Sequence, residues 1–326
     1  FYNRINSMSM KKVTNKFFSQ LDPAFGLIIA ISAVSTASIF IRIAQGFFPS
    51  LFIAAARLGL ASLFLLPFFI RKNKSSISRL SNREVVLLVI SGIFLAMHFT
   101  SWIKSLEFTN VLSSVVLVTT TPIWVSLLSF WLYKERLKPV FYIGLVISFL
   151  GVVIIAAGDD FTNGKIFFSE AIKLNTLSSG TSLAGNLLAI GGAIFAAGYI
   201  VCGKLLRKKL DNLTYVFLVY LCASIFLIFL LIVTHPMPVM VFQPAIVWVI
   251  LIAIIPQLVG HSLINWSLGK LPASYVALSL LGEPVGSTVL AMVFLGEIPS
   301  DFQVMGSLLI IAGLVLAVRP EIEKTK

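Results

Sequence analysis

Charge is scarce in this sequence. Only 12% of its 326 residues are Asp, Glu, Lys or Arg, and the acidic sign is the rarer, 13 against 25 basic residues. Soluble domains carry about twice that charged fraction, so a chain this poor in charge does not clothe a water-facing surface. Cysteine is scarcer still. Cys202 and Cys222 are the whole supply, and with no CxxC and no flanking His they give neither a disulfide framework nor a metal site. The three histidines, His98, His235 and His261, form no HExxH. There is no pair of aspartates within an apolar run, no nucleophile elbow and no phosphate-cradling glycine loop, which removes the familiar intramembrane hydrolases and ATP-driven pumps. An enzyme is therefore not expected, nor is any cofactor or metal.

What abounds is apolar surface: 58% of the residues are hydrophobic and the mean hydropathy is +0.99. Runs of membrane-spanning length recur at 24–43, 50–70, 84–103, 109–131, 139–157, 182–203, 212–233, 245–268, 272–295 and 302–319. About 20 apolar residues cross a hydrocarbon layer of roughly 30 Å. The lipid bilayer is thus the expected surrounding. A net charge of +12 would suit nucleic acid if it lay on one face. Instead the basic residues fall in clusters between the runs. With the N-terminus inside, the inner segments collect Lys11, Lys12 and Lys16, Arg71 to Arg83, Lys134 to Lys138, Lys204 to Lys209 and the C-terminal Lys324 and Lys326, whereas the outer ones hold Arg42, Lys104, Lys165 and Lys173. The positive-inside rule then puts both termini in the cytoplasm of a multi-pass protein of the cell (inner or plasma) membrane, with no nucleic-acid partner. The apolar run after Lys16 is too long for a signal-peptide core, so the first helix is expected to stay in the membrane. Residues 1–20 fit either a short amphipathic segment on the inner surface or a disordered tail.

The chain repeats itself at a shift of 162 residues. Pro122 falls on Pro284, Glu135 on Glu297, Gly144 on Gly306, Gly151 on Gly313, Ser105-Leu106 on Ser267-Leu268, Ala61-Ser62 on Ala223-Ser224 and Arg42 on Lys204. A constant offset through corresponding helices marks a duplicated unit. Five crossings per unit is an odd number, so the second unit enters from the opposite side. The expectation is an all-α polytopic membrane protein of ten transmembrane helices, built as two inverted five-helix repeats. Its parts are a cytoplasmic segment 1–20, a first repeat 21–158, an external linker 159–180, a second repeat 181–319 and a cytoplasmic tail 320–326. Asp159 and Asp160 in the linker read as a solvated pair rather than a cation site.

Ala56-Arg57-Leu58, Thr121-Pro122 followed by Lys134-Glu135-Arg136-Leu137, and Gly282-Glu283-Pro284-Val285 followed by Leu295-Gly296-Glu297 resemble the EamA branch of the drug/metabolite transporter superfamily over nearly the whole chain. The resemblance implies bundles of helices 1–4 and 6–9 around a central cavity, helices 5 and 10 at the periphery, and alternating-access transport of a small organic, amino acid-like or related solute. Without a P-loop to draw on ATP, transport would be gradient-coupled, an exchange or passive, so a coupling proton or counter-substrate is a further candidate partner. Where helix 9 carries Glu283 before its proline, helix 4 carries Thr121, so the halves differ chemically at the site. A channel, a receptor or, less favoured, a membrane-embedded enzyme are the rival readings.

Several polar groups stand out in apolar surroundings. Glu283 is costly in mid-helix unless it is paired, protonated or wet, and intramembrane carboxylates are usually functional. Tyr275, Ser279, Glu283 and Ser287 recur every four residues and would share a face. Pro284 and Pro122 remove a backbone donor and allow kinks, so both are candidate hinges. Arg57, in helix 2, lies at a depth that permits a pair with Glu283 or capture of a substrate anion; snorkelling to the interface is the bland alternative. His98 with Trp102, and His261 with Asn265, are one turn apart and present together, suiting cavity walls or buried helix contacts. Ser32, Ser35, Thr36 and Ser38, and Gly282 with Gly286, read as close-packing residues.

Overall fold

The computed structural model describes residues 22–71, 80–108, 111–134, 137–162, 180–234, 244–295 and 301–322. The segment 1–20, Glu135, Glu297 and most of the linker lie outside them. The described residues make ten crossings. The first is α1 (Pro23–Val34) and α2 (Ala37–Gln45); the second α3 (Ser50–Ile70); the third α4 (Asn82–Phe108); the fourth α5 (Val111–Val118) and α6 (Thr121–Tyr133); the fifth α7 (Pro139–Thr162). The sixth is α8 (Gly180–Leu206) and the seventh α9 (Asn212–Thr234). The eighth joins α10 (Ile246–Ile252), a π-helix (Ala253–His261) and α11 (Ser262–Leu268). The ninth joins α12 (Ala273–Ser279), a 3-10 turn (Leu280–Gly282) and α13 (Glu283–Leu295), and the tenth is α14 (Asp301–Ile322). Six of these are apolar over at least a full bilayer thickness, namely the first, second, third, sixth, seventh and eighth; the fourth, fifth and tenth carry shorter apolar helices. α7 runs on to Thr162, so the start of the linker is helical.

Local chemistry sets the helix ends. Asp22 accepts from the amide of Ala24 at 2.8 Å with Pro23 opening α1. Before α4 the Ser81 amide donates to Glu84 at 2.9 Å, and Asp211 accepts from the Thr214 amide at 3.1 Å before α9. These caps satisfy amides that a helix start leaves unpaired. The lipid-facing side is apolar without relief: Phe64, Phe68, Phe130, Trp131, Phe229 and Val233 are exposed large hydrophobics. A soluble monomer does not expose such a surface.

Packing obeys a two-fold relation at the 162-residue offset. α7 crosses α14 where a Cβ on Gly144 would stand 2.5 Å from the Gly313 carbonyl, and one on Gly151 2.5 Å from the Gly306 carbonyl. The partners are exchanged between repeats, as a two-fold axis requires. Ser148 Oγ donates to the carbonyl of its own counterpart, Ile310, at 3.3 Å, placing the axis beside them. The grouping around the centre differs from the expected bundles of helices 1–4 and 6–9. The third and fourth crossings pack with the sixth, and the eighth and ninth with the first, while the second packs on the seventh and the fifth on the tenth. Each repeat lends its first helix to the other, because the small-residue seams lie there. A Cβ on Gly192 of α8 would meet Trp102 at 3.4 Å, and one on Gly260 would meet Val34 of α1 at 2.6 Å.

Candidate functional site

Between the two three-helix groups lies a cavity. Val34 and Ala37 line it from the first crossing, His98 and Trp102 from α4, and Thr119, Thr121 and Pro122 from the fourth. Ala196 and Tyr199 line it from α8, His261 and Ile264 from the eighth, and Leu280 and Glu283 from the ninth. All six helices of the two groups contribute, and among the described residues none of the second, fifth, seventh or tenth crossings does.

The fourth and ninth crossings reach this cavity at matching interruptions. α6 starts at Thr121 with Pro122 in its first turn, and α13 starts at Glu283 with Pro284 next. A proline is tolerated at a helix start because the missing amide would be unpaired there. The interruptions place Thr121 on one side of the cavity and Glu283 on the other. Thr121 is buried and its hydroxyl donates to the Val118 carbonyl at 2.7 Å. The Ser35 hydroxyl shares its proton between the Ile31 carbonyl at 2.7 Å and that of Glu283 at 3.1 Å, and Ser287 donates to the Ser35 carbonyl at 3.1 Å. Together with Gly286, whose Cβ would overlap Ser35, these bonds hold the ninth crossing tightly on the first. Glu283 is half-buried and is the one carboxylate among the lining residues.

The opposite wall is aromatic. His98 Nδ1 donates to the Gly192 carbonyl at 2.9 Å, since a carbonyl only accepts, and a neutral ring then keeps Nε2 as an acceptor. Its ring is parallel to that of Trp102, centroids 6.1 Å apart. The Trp102 indole N–H and His261 Nδ1 have no partner within the described residues. Asn265 does not line the cavity; fully buried, it donates to the Tyr199 hydroxyl and to the His261 carbonyl, the latter at 2.7 Å. Tyr199 was not singled out in the sequence, yet it lines the cavity and links the sixth crossing to the eighth.

Arg57 is 0% exposed and outside the lining. Its guanidinium carbon sits 3.9 Å above the ring of Phe99. Phe99 in turn meets His261 edge-on at 5.1 Å and His98 at 4.8 Å, so it stands against both cavity histidines. Arg57 feels the charge of Glu283, but the two make no ion-pair contact. Tyr275 and Ser279 lie elsewhere: Tyr275 packs edge-on against Phe141 of α7 at 5.0 Å, and Ser279 donates to the Tyr275 carbonyl at 2.9 Å. The cause is rotational. Eight residues of α-helix already drift by about 80° at 3.6 residues per turn. The tighter 3-10 turn at Leu280–Gly282 turns about 20° further per residue. The stripe that a straight helix would align is therefore split between the cavity side and the α7 side.

Two sets of bonds tie the three-helix groups together near their ends. At one end Arg42 Nη1 donates to the Leu106 carbonyl at 2.7 Å and Gln45 Nε2 to that of Ile103 at 2.8 Å, joining the first crossing to the third. At the other, Lys204 Nζ donates to the Leu268 carbonyl at 3.1 Å and Arg207 Nε to that of Asn265 at 2.9 Å, joining the sixth to the eighth. Every residue in the second set is the counterpart of one in the first at the 162-residue shift. Among the described residues no group of three or more His, Cys, Asp or Glu is placed to hold a metal.

The comparisons with known proteins agree with this architecture. The model of the EamA-like transporter family matches residues 23–157 and again 183–319. An uncharacterised transporter of Bacillus subtilis (strain 168) is 26% identical over 269 residues, covering 82% of this chain and 81% of that protein. One from Archaeoglobus fulgidus is 27% identical over 233 residues, covering 71% and 74%. A solved crystal structure shares the fold with a TM-score of 0.72 at 18% identity, over 93% of this chain and 99% of that one. The doubled family match, the ten crossings and the exchanged glycine contacts converge: this chain is a multi-pass membrane protein that belongs to the EamA-like transporter family.

Proposed function

We propose that this protein is a secondary transporter that carries a small organic solute across the plasma membrane by alternating access through the cavity between its two helix groups. The observation that carries the reading is the pair of symmetry-related latches. Each joins the same two groups, one at each end of the crossings, and in each a cationic donor reaches a carbonyl in the last turn of a helix, Leu106 in one and Leu268 in the other. Such carbonyls lack intrahelical partners, and cationic donors meet them favourably. Hydrogen bonds to charged groups are worth about 1.5–3 kcal/mol each, small enough to be exchanged for solute contacts during a cycle. Releasing the Arg42 latch would open one face and releasing the Lys204 latch the other. The basic clusters assign the Arg42 end to the outside and both termini to the cytoplasm. Pro122 and Pro284 stand at the interruptions about which the cavity-lining halves of the fourth and ninth crossings would turn. Glu283 is the group through which a coupling proton or a counter-substrate would act.

The test is counterflow into proteoliposomes loaded with candidate solutes. Saturable, trans-stimulated uptake is expected. Flux that rises linearly with concentration and ignores trans solute would make the protein a channel.

A further inference from the structure

Arg57 is the largest fully buried side chain among the described residues, and none of its three guanidinium nitrogens has a hydrogen-bond partner there. Such a group is expensive to keep dry and unpaired. The face of Phe99 lies 3.9 Å from the Arg57 guanidinium carbon, a cation–π contact far weaker than a carboxylate fork. Other unanswered polar atoms gather on the eighth crossing nearby. Both side-chain polar atoms of Gln257, itself 0% exposed, lack partners, as does Nδ1 of His261. Tyr220 joins the two sides: its hydroxyl donates to the Gln257 carbonyl at 3.2 Å, and it lies within electrostatic reach of Arg57. The backbone there is a π-helix containing Pro256, a widened turn of the kind found at functional sites.

We propose that Arg57 is the anion-binding group of the solute site, and that a carboxylate entering from the cavity displaces the Phe99 ring and takes its place on the guanidinium fork. The proposal rests on the transport reading and names the charge class of its solute. Phe99 touches Arg57 as well as the two cavity histidines, so its rotation is what would connect cavity and cation. The charged and titratable groups within reach of Arg57 are Glu283, Tyr220, His98 and His261. With Glu283 carrying its proton, one guanidinium balances one negative charge. A phosphate dianion would then leave one charge in excess in a dry place, which favours a monoanionic carboxylate.

The full chain in lipid nanodiscs is titrated with acetate, with 3-phenylpropionate and with the uncharged 3-phenylpropionamide, and thermal unfolding is followed. The carboxylates should stabilise the wild type and the amide should not. Arg57→Gln should weaken carboxylate binding about tenfold to a hundredfold, the size of a lost charged hydrogen bond. Arg57→Lys should recover only part of it, because an ammonium lacks the fork. Equal protection by acid and amide in the wild type, no protection by either carboxylate, or undiminished protection in Arg57→Gln would each overturn the site. So would the same Arg57-dependent protection by sodium chloride at matched ionic strength, which would assign it to inorganic anions. Counterflow of 3-phenylpropionate separates the two claims. Arg57-dependent binding without counterflow keeps the site and removes transport, whereas counterflow unchanged by Arg57→Gln keeps transport and removes the site.

Discussion

Tyr199 and Asn265 join the two helix groups through a single side-chain bond, made where Tyr199 borders the cavity and Asn265 stands behind it. Replacing Tyr199 with Phe removes the hydroxyl and leaves a fully buried amide donor with one partner fewer, a loss of about 1–3 kcal/mol. Thermal unfolding should show that destabilisation, and Asn265→Ala combined with Tyr199→Phe should cost less than the two singles added; strict additivity would mean the bond contributes nothing. Glu283→Gln should remove any pH dependence of uptake while exchange persists, with Arg57, His98 and His261 left unchanged around it. A pH profile identical to that of the wild type would place proton coupling elsewhere. Glu283, His98, Trp102 and His261 were legible in the sequence, because a carboxylate, imidazole or indole in an apolar run stands out from its neighbours. Tyr199 and Gln257 were not, since a lone phenol among small residues or a single amide beside a proline looks like packing until the facing helix is known. Tyr275 and Ser279 were assigned to the stripe of Glu283 on the assumption of an unbroken α-helix, and a three-residue 3-10 turn leaves no signature in spacing.

Helix identities and approximate limits followed from run length alone, and the repeat offset from small residues and prolines that recur. The offset proved the more informative, since the glycines it paired are those that let α7 and α14 approach to backbone contact. Gly144→Ala would place a Cβ 2.5 Å from the Gly313 carbonyl. Backbone cannot give way as a side chain does, so the substitution should cost about 1–3 kcal/mol. Gly59→Ala is the control: nothing lies within 4 Å of its Cβ position, and loss of glycine from a helix should stabilise by about 0.5–1 kcal/mol. Unfolding in detergent should rank the two on opposite sides of the wild type, and a neutral Gly144→Ala would contradict the close crossing. The exchange of the first and sixth helices between repeats was not readable, because hydropathy says how long a helix is and nothing of which unit it packs against.

At the scale of the molecule, a two-fold axis in the plane of the membrane relates the Arg42 latch near one face to the Lys204 latch near the other. Both latches are made at once here, so the two groups are tied at both ends. Alternating access requires that they break in turn, and the direct test is sided labelling of a cysteine in the cavity. With Cys202 and Cys222 replaced by Ala, Ala196→Cys supplies a single thiol on the cavity wall. A membrane-impermeant maleimide is then applied to intact cells and to inverted vesicles. Arg42→Gln should raise labelling from the outer face and Lys204→Gln from the inner face, each by at least about tenfold, since Arg42 loses one charged hydrogen bond and Lys204 two, to Leu268 and Leu271, of roughly 1.5 kcal/mol each. Labelling that rises from both faces in both variants, or from neither, would contradict alternating access through this cavity.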